Sequence, residues 1–234
     1  MLRHLREDLT AARERDPAAR GTLEILLCYP GVHALCGYRI GNWLWRHGLP
    51  LAGRICSALT RWATGVDIRP AATLGPGLFI DHATGVVIGE TAEVGANVTL
   101  YHGVTLGGTS LRRGKRHPTI SDGVTIGAGA KVLGPITIGE GSRIGANAVV
   151  VRPVPPNSVV VGVPGQIISR SRPRSSITPP DLNHTALPDV LGASLDNLLA
   201  HVARLERTAD LQALNTGSPH PPKDGVWHGE DFSI

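Results

Sequence analysis

A chain of 234 residues with 41% hydrophobic and 18% charged residues can bury a real core, and it holds one good-sized domain with additions. Its apolar runs, such as those at 149–151 and 159–161, fall far short of the roughly 20 residues that cross a bilayer. The net charge of +4 is too diffuse for a nucleic-acid surface, since the one basic cluster (Arg112, Arg113, Lys115, Arg116) has no aromatics interleaved.

The first sixteen residues mix both charge signs without an apolar stretch or a small-residue cleavage site, so they do not read as a secretory signal and the chain reads as cytoplasmic. Leu2, Leu5 and Leu9 fall at helical spacing, and so do the stretches 31–45 and 51–62, separated by Tyr29-Pro30-Gly31 and Gly48-Leu49-Pro50. Residues 1–65 are therefore expected to form an α-helical domain, a cap or an oligomerisation element. Cys28, Cys36 and Cys56 are odd in number and lack metal-ligand spacing, which points to free thiols.

From Ile68 an aliphatic residue recurs at every sixth position: Ile68, Leu74, Ile80, then Ile88, Val94, Leu100, Leu106, then Ile120, Ile126, Val132, Ile138, Ile144 and Val150. Six extended residues span about 20 Å, so each unit is a short strand plus a turn, and an even period returns the same side chains to the interior. The result is a coiled prism filled by a ladder of Ile, Leu and Val, which accounts for aromatics at 4% beside 29 glycines. A long amphipathic helix is excluded by the density of Gly and Pro. The phase breaks twice. Two residues are added between Ile80 and Ile88, and the segment GGTSLRRGKRHPT is extruded between Leu106 and Ile120. The prism is placed at 66–168. Residues 169–234 form a polar, proline-rich tail with one amphipathic helix, apolar at 191, 195, 198, 199, 202 and 205.

In chain order the sequence reads RDPA, GVHALCGYRIGNWLW, VDIRP, DHATGVVIGETA, VTLGGT, GKRHPTI, IGAGAKVLGPI and GVPG. This combination, over roughly residues 1–168, resembles the serine O-acetyltransferases in their short bacterial form, among the hexapeptide-repeat acyltransferases. The resemblance implies an α+β chain whose prism is a left-handed parallel β-helix. It also implies acetyl transfer from acetyl-CoA to the hydroxyl of L-serine in cysteine biosynthesis, with no permanently bound cofactor and no metal. A serine hydroxyl is a weak nucleophile and needs a base. His82, at the first break, is the leading base, and the resemblance pairs it with Asp67, fifteen residues earlier and close to one coil of eighteen.

The same resemblance puts His117 in the catalytic set and Arg116 on the substrate carboxylate. It puts Asp16 and Asp81 on the substrate ammonium, with Glu90 a further candidate, and lays acetyl-CoA along Gly108, Thr109, Ala128 and Ala146. Some relatives carry lysine where Thr119 stands, so no charge role falls there. Family members are trimers or dimers of trimers, inhibited by cysteine at the serine site. Many end in isoleucine, which enters the active site of O-acetylserine sulfhydrylase, so Ile234 is the expected partner contact. Three alternatives remain open. An acyltransferase of this fold acting on a sugar or antibiotic hydroxyl would not need Asp16 or the RHP loop. A zinc-dependent hydratase would need histidine spacing that His82, His102 and His117 lack. A non-catalytic scaffold for the sulfhydrylase would not need His82 and Asp67.

Overall fold

The structure is a computed structural model and describes residues 2–170 and 190–208. The chain divides into two compact units, Met1–Pro188 and Asp189–Ile234. The first unit opens with four helices: α1 (Leu2–Arg15), α2 (Thr22–Cys28), α3 (Pro30–Arg46) and α4 (Pro50–Thr64). Pro30 and Pro50 start α3 and α4 at the position where a missing N–H costs nothing. Helix α4 stops at Gly65, whose φ of 72° supplies the left-handed C-terminal cap. The seven-residue α2 is too short for apolar periodicity to announce it.

The strands that follow wind into three parallel faces. Face one stacks β1 (Asp67–Ile68), β4 (Val87–Ile88), β7 (Thr105–Gly107), β10 (Lys131–Leu133) and β13 (Val149–Val150). Face two stacks β2 (Thr73–Leu74), β5 (Glu93–Val94), β8 (Thr119–Ile120) and β11 (Thr137–Ile138). Face three stacks β3 (Phe79–Ile80), β6 (Thr99–Leu100), β9 (Thr125–Ile126), β12 (Arg143–Ile144) and β14 (Ser158–Val161). On this last strand lies the antiparallel β15 (Gln166–Arg170), which covers the lower edge of the face.

This is a left-handed parallel β-helix. Each repeat aliphatic sits on the equivalent one of the next coil: Ile88 on Leu106, Val132 on Val150. All thirteen are no more than 5% exposed. The rise from Ile88 to Leu106 is the regular eighteen residues, whereas Ile68 pairs with Ile88 and Leu106 with Val132, twenty and twenty-six residues on. Both phase breaks are therefore absorbed at corners, and the ladder inside is undisturbed.

The helices are bolted to the first coil by polar groups. Arg39 donates to the carbonyls of Leu74 and Gly75, both at 2.8 Å, and meets the buried Asp8 at 3.1 Å. Asp8 also accepts the Leu78 N–H at 3.1 Å. Burial pushes the Asp8 carboxyl up, against the pull of Arg39. A Cβ at Gly31 would lie 2.1 Å from the Ile80 carbonyl oxygen, so only glycine lets α3 meet the coil this closely. The second unit contributes α5 (Val190–Thr208), the amphipathic helix expected in the tail.

Candidate active site

The first corner of interest joins face three to face one. The two extra residues of the first break put His82 and Ala83 at φ of 55° and 48°, a left-handed backbone that costs about 1 kcal/mol or more per non-glycine residue. The His82 ring stands out from the prism, 74% exposed, with its Nε2 3.8 Å from an Asp81 carboxylate oxygen. The ring of His102 meets it edge to face at 5.9 Å. Helix α1 delivers a second carboxylate here. Arg15, the last residue of α1, donates to the Val98 carbonyl and Thr99 hydroxyl, both at 3.1 Å, and so fixes Asp16 at the head of the prism. One oxygen of Asp16 accepts the Ala18 N–H at 2.8 Å, and the other accepts the Tyr29 hydroxyl at 2.5 Å. That bond, burial and the charges of Asp16, Glu24 and Asp81 push the Tyr29 phenol up to about 12. Tyr29 therefore remains a hydrogen-bond donor between two acids, a role nothing in the sequence reading picked out.

Asp67 opens β1 on the adjoining face. The Gly85 N–H donates to the Gly65 carbonyl at 2.9 Å, so the two segments lie at the same corner on successive coils. No hydrogen bond or ion pair joins Asp67 to His82 among the described residues. Asp67 faces Arg61 of α4 at 3.5 Å, and His82 turns to Asp81.

The second corner joins face one to face two, where the extruded loop returns. Arg116 is ion-paired to Glu90, which orients the guanidinium and half buries it. His117 lies flat over Gly89, where a Cβ would fall 1.8 Å from its ring, and Gly108 packs close to the ring's Nε2 side. Thr91 organises the return. Its Oγ1 accepts the N–H groups of Arg116 and His117 at 3.0 and 3.1 Å, and the hydroxyl then donates to His117 Nδ1 at 2.8 Å. The Thr91 N–H also donates to Nδ1, at 3.2 Å. With Nδ1 accepting, the ring proton is on Nε2. Burial first, and then the neighbouring Arg116, hold the His117 pKa below the usual imidazole value, so the ring is a neutral N–H donor. A cleft of about 660 Å³ opens beside it, lined by Glu90, Thr91, Glu93, Arg112, Arg113 and Arg116 among others.

The four residues expected to meet acetyl-CoA divide between the two corners. Gly108 and Thr109 lie beside His117 and Gly134, at the second. Ala128 and Ala146 lie at the first, linked by the Asn147 N–H to the Ala128 carbonyl at 2.8 Å. One chain thus holds His82, Asp81 and Asp16 at one end of face one, and Arg116, His117 and Glu90 at the other. Six residues separate the ends, up to about 20 Å. Ile234 lies outside the described residues, which contain no group of three or more His, Cys, Asp or Glu suited to a metal ion.

Residues 1–36 match the family described as serine acetyltransferase, N-terminal, and residues 117–152 match the bacterial transferase hexapeptide (six repeats). Over 234 residues, all of both chains, the sequence is 61% identical to a serine acetyltransferase of Mycobacterium tuberculosis. The chain belongs to the serine acetyltransferase family. Among solved structures, the Neisseria gonorrhoeae serine acetyltransferase in complex with serine superimposes with a TM-score of 0.69 at 47% identity, over 71% of this chain and 68% of that one. The Brucella abortus serine acetyltransferase in complex with coenzyme A gives 0.70 at 46% identity, over 72% and 67%. The protein is accordingly an acetyl-CoA-dependent acyltransferase that acetylates serine in cysteine biosynthesis. No helix of the described residues is long and apolar enough to cross a membrane.

Proposed function

We propose that this serine acetyltransferase works in clefts shared between copies of the chain, each built from the first corner of one prism and the second corner of its neighbour. The observation that carries this reading is the separation of the two half-sites along face one. A serine molecule offers an ammonium, a carboxylate and a hydroxyl within a few ångströms, whereas the matching groups of one chain stand a face apart. A closed three-fold ring pairs every first corner with a second one and leaves none over.

In such a cleft Asp16 and Asp81 take the ammonium, and Arg116, braced by Glu90, takes the carboxylate. His82 receives the serine hydroxyl proton as the oxygen attacks the thioester carbonyl, and the carbon–sulfur bond then breaks. The exposed His82 ring is free to rotate from Asp81 toward Asp67, which leaves Arg61 and stabilises the imidazolium. His117 contributes its fixed Nε2–H as a donor to the substrate and takes no proton. Gly108 and Thr109 of one prism, with Ala128 and Ala146 of the next, leave a channel narrow enough for the pantetheine arm.

Thiol release from acetyl-CoA with serine, homoserine and sugar acceptors tests this assignment. Serine is expected to dominate, and Asp16→Asn or Asp81→Asn to raise the serine KM by 10-fold or more, about 1.4 kcal/mol. Indifference to both acids would remove the ammonium site. His82→Ala is expected to lower kcat by about a hundredfold or more. The C-terminal Ile234 is proposed to bind O-acetylserine sulfhydrylase; its deletion should abolish co-sedimentation of the two enzymes and leave acetylation unchanged. The free thiols of Cys28, Cys36 and Cys56 suit a reducing cytoplasm.

A further inference from the structure

We infer that His102 is a second catalytic imidazole, which protonates the departing coenzyme A thiolate while His82 takes the serine proton. The inference rests on the site reading above and extends it to the leaving group. Backbone hydrogen bonds order the first corner coil by coil. The Gly103 N–H donates to the Thr84 carbonyl at 2.9 Å, the Gly129 N–H to the His102 carbonyl at 2.8 Å, and the Asn147 N–H to the Ala128 carbonyl at 2.8 Å. Thr84, His102, Ala128 and Ala146 therefore occupy one corner on four successive coils, about 4.8 Å apart.

The base projects from the topmost of these corners, and the donor-binding alanines occupy the third and fourth. An acyl donor lying along Ala146 and Ala128, with its carbonyl beside His82, must pass the second coil, and the side chain there is the exposed imidazole of His102. The sulfur is one bond from the carbonyl carbon, on the side toward the pantetheine arm and hence toward His102. His82 stands on the opposite side, with Asp81.

The proton count closes. The cycle opens with His82 neutral and His102 protonated. The serine Oγ–H proton passes to His82, the new C–O bond forms, the C–S bond breaks, and the thiolate takes the proton of His102. One proton then returns from His82 to His102 across the 5.9 Å edge contact, through a single bridging water. The pair carries one positive charge throughout, so two like charges never share the corner.

The test is the dependence of rate on the leaving group, in the full-length enzyme at saturating serine. His102→Gln keeps a polar side chain of similar size without a transferable proton, and among the described residues the exposed ring makes no side-chain hydrogen bond that folding needs. Turnover of acetyl-CoA is expected to fall about 10- to 100-fold. Turnover of the acetyl ester of an acidic arylthiol, whose thiolate leaves unprotonated, is expected to stay within twofold. Equal slowing of both thioesters, or slowing of neither, overturns the role of His102. His82→Ala run in parallel should slow both thioesters; if it slows neither, the site reading fails and this inference with it.

Discussion

The separation of the two half-sites has a quantitative consequence in mixed assemblies. His82→Ala and Arg116→Ala each disable every site when present alone. Produced together with different affinity tags, the two chains form hybrid rings in which a site works only if its first corner comes from the Arg116→Ala chain and its second from the His82→Ala chain. With random three-fold assembly from equal amounts, the chance at each site is one half times one half, so about a quarter of wild-type activity returns. At other mixing ratios the recovery follows the product of the two fractions and peaks at equality. A chain carrying a complete site of its own would keep the hybrids near the roughly 1% or less of the separate variants. The assay is thiol release by the unfractionated mixture; doubly tagged, doubly purified rings each hold one working site in three and should show about a third of wild-type activity at any mixing ratio. Hybrids no more active than their parents would refute the shared cleft.

Other outcomes follow from single contacts. Arg39→Met strands the buried Asp8 carboxylate and is expected to cost about 3–5 kcal/mol in denaturant unfolding; converting both partners to apolar residues should recover much of that loss. Gly89→Ala places a methyl group where the His117 ring lies, so kcat/KM for serine should fall at least about 10-fold while the circular dichroism spectrum is kept. Because the folded state depresses the His117 pKa, its contribution to stability is complete above the unfolded value of about 6.5 and disappears as the pH falls through the folded value. His117→Gln should therefore flatten the acid side of the unfolding-midpoint profile, and an unchanged slope would remove His117 as its source.

The prism was legible because its code is periodic. Ile68, Ile88 and Leu106 had to share one wall once the hexads were counted, and register pairs them there. The same count carried more than was taken from it. His82 precedes Ile88 by six residues and His117 precedes Ile120 by three, which already assigns them to corners opening onto different faces. Pairwise contacts between distant residues left no comparable trace. Nothing marks Asp8 and Arg39 as partners across thirty-one residues, or Tyr29 as the donor to Asp16, because each depends on how α1 settles on the first coil. Spacing placed Asp67 and His82 on neighbouring coils, but ring and carboxylate directions answer to local charge, and Arg61 and Asp81 are nearer.

The pair of supernumerary residues at His82 and Ala83 can be regarded as a stacking fault in an otherwise repetitive lattice. A perfect solenoid would have every corner alike and nothing protruding from any of them. By confining the irregularity of this corner to two left-handed residues above an unbroken aliphatic ladder, the chain obtains a reactive protrusion whose position varies as little as the lattice beneath it. Excising those two residues should yield a smoother and equally cohesive coil that has lost its chemistry.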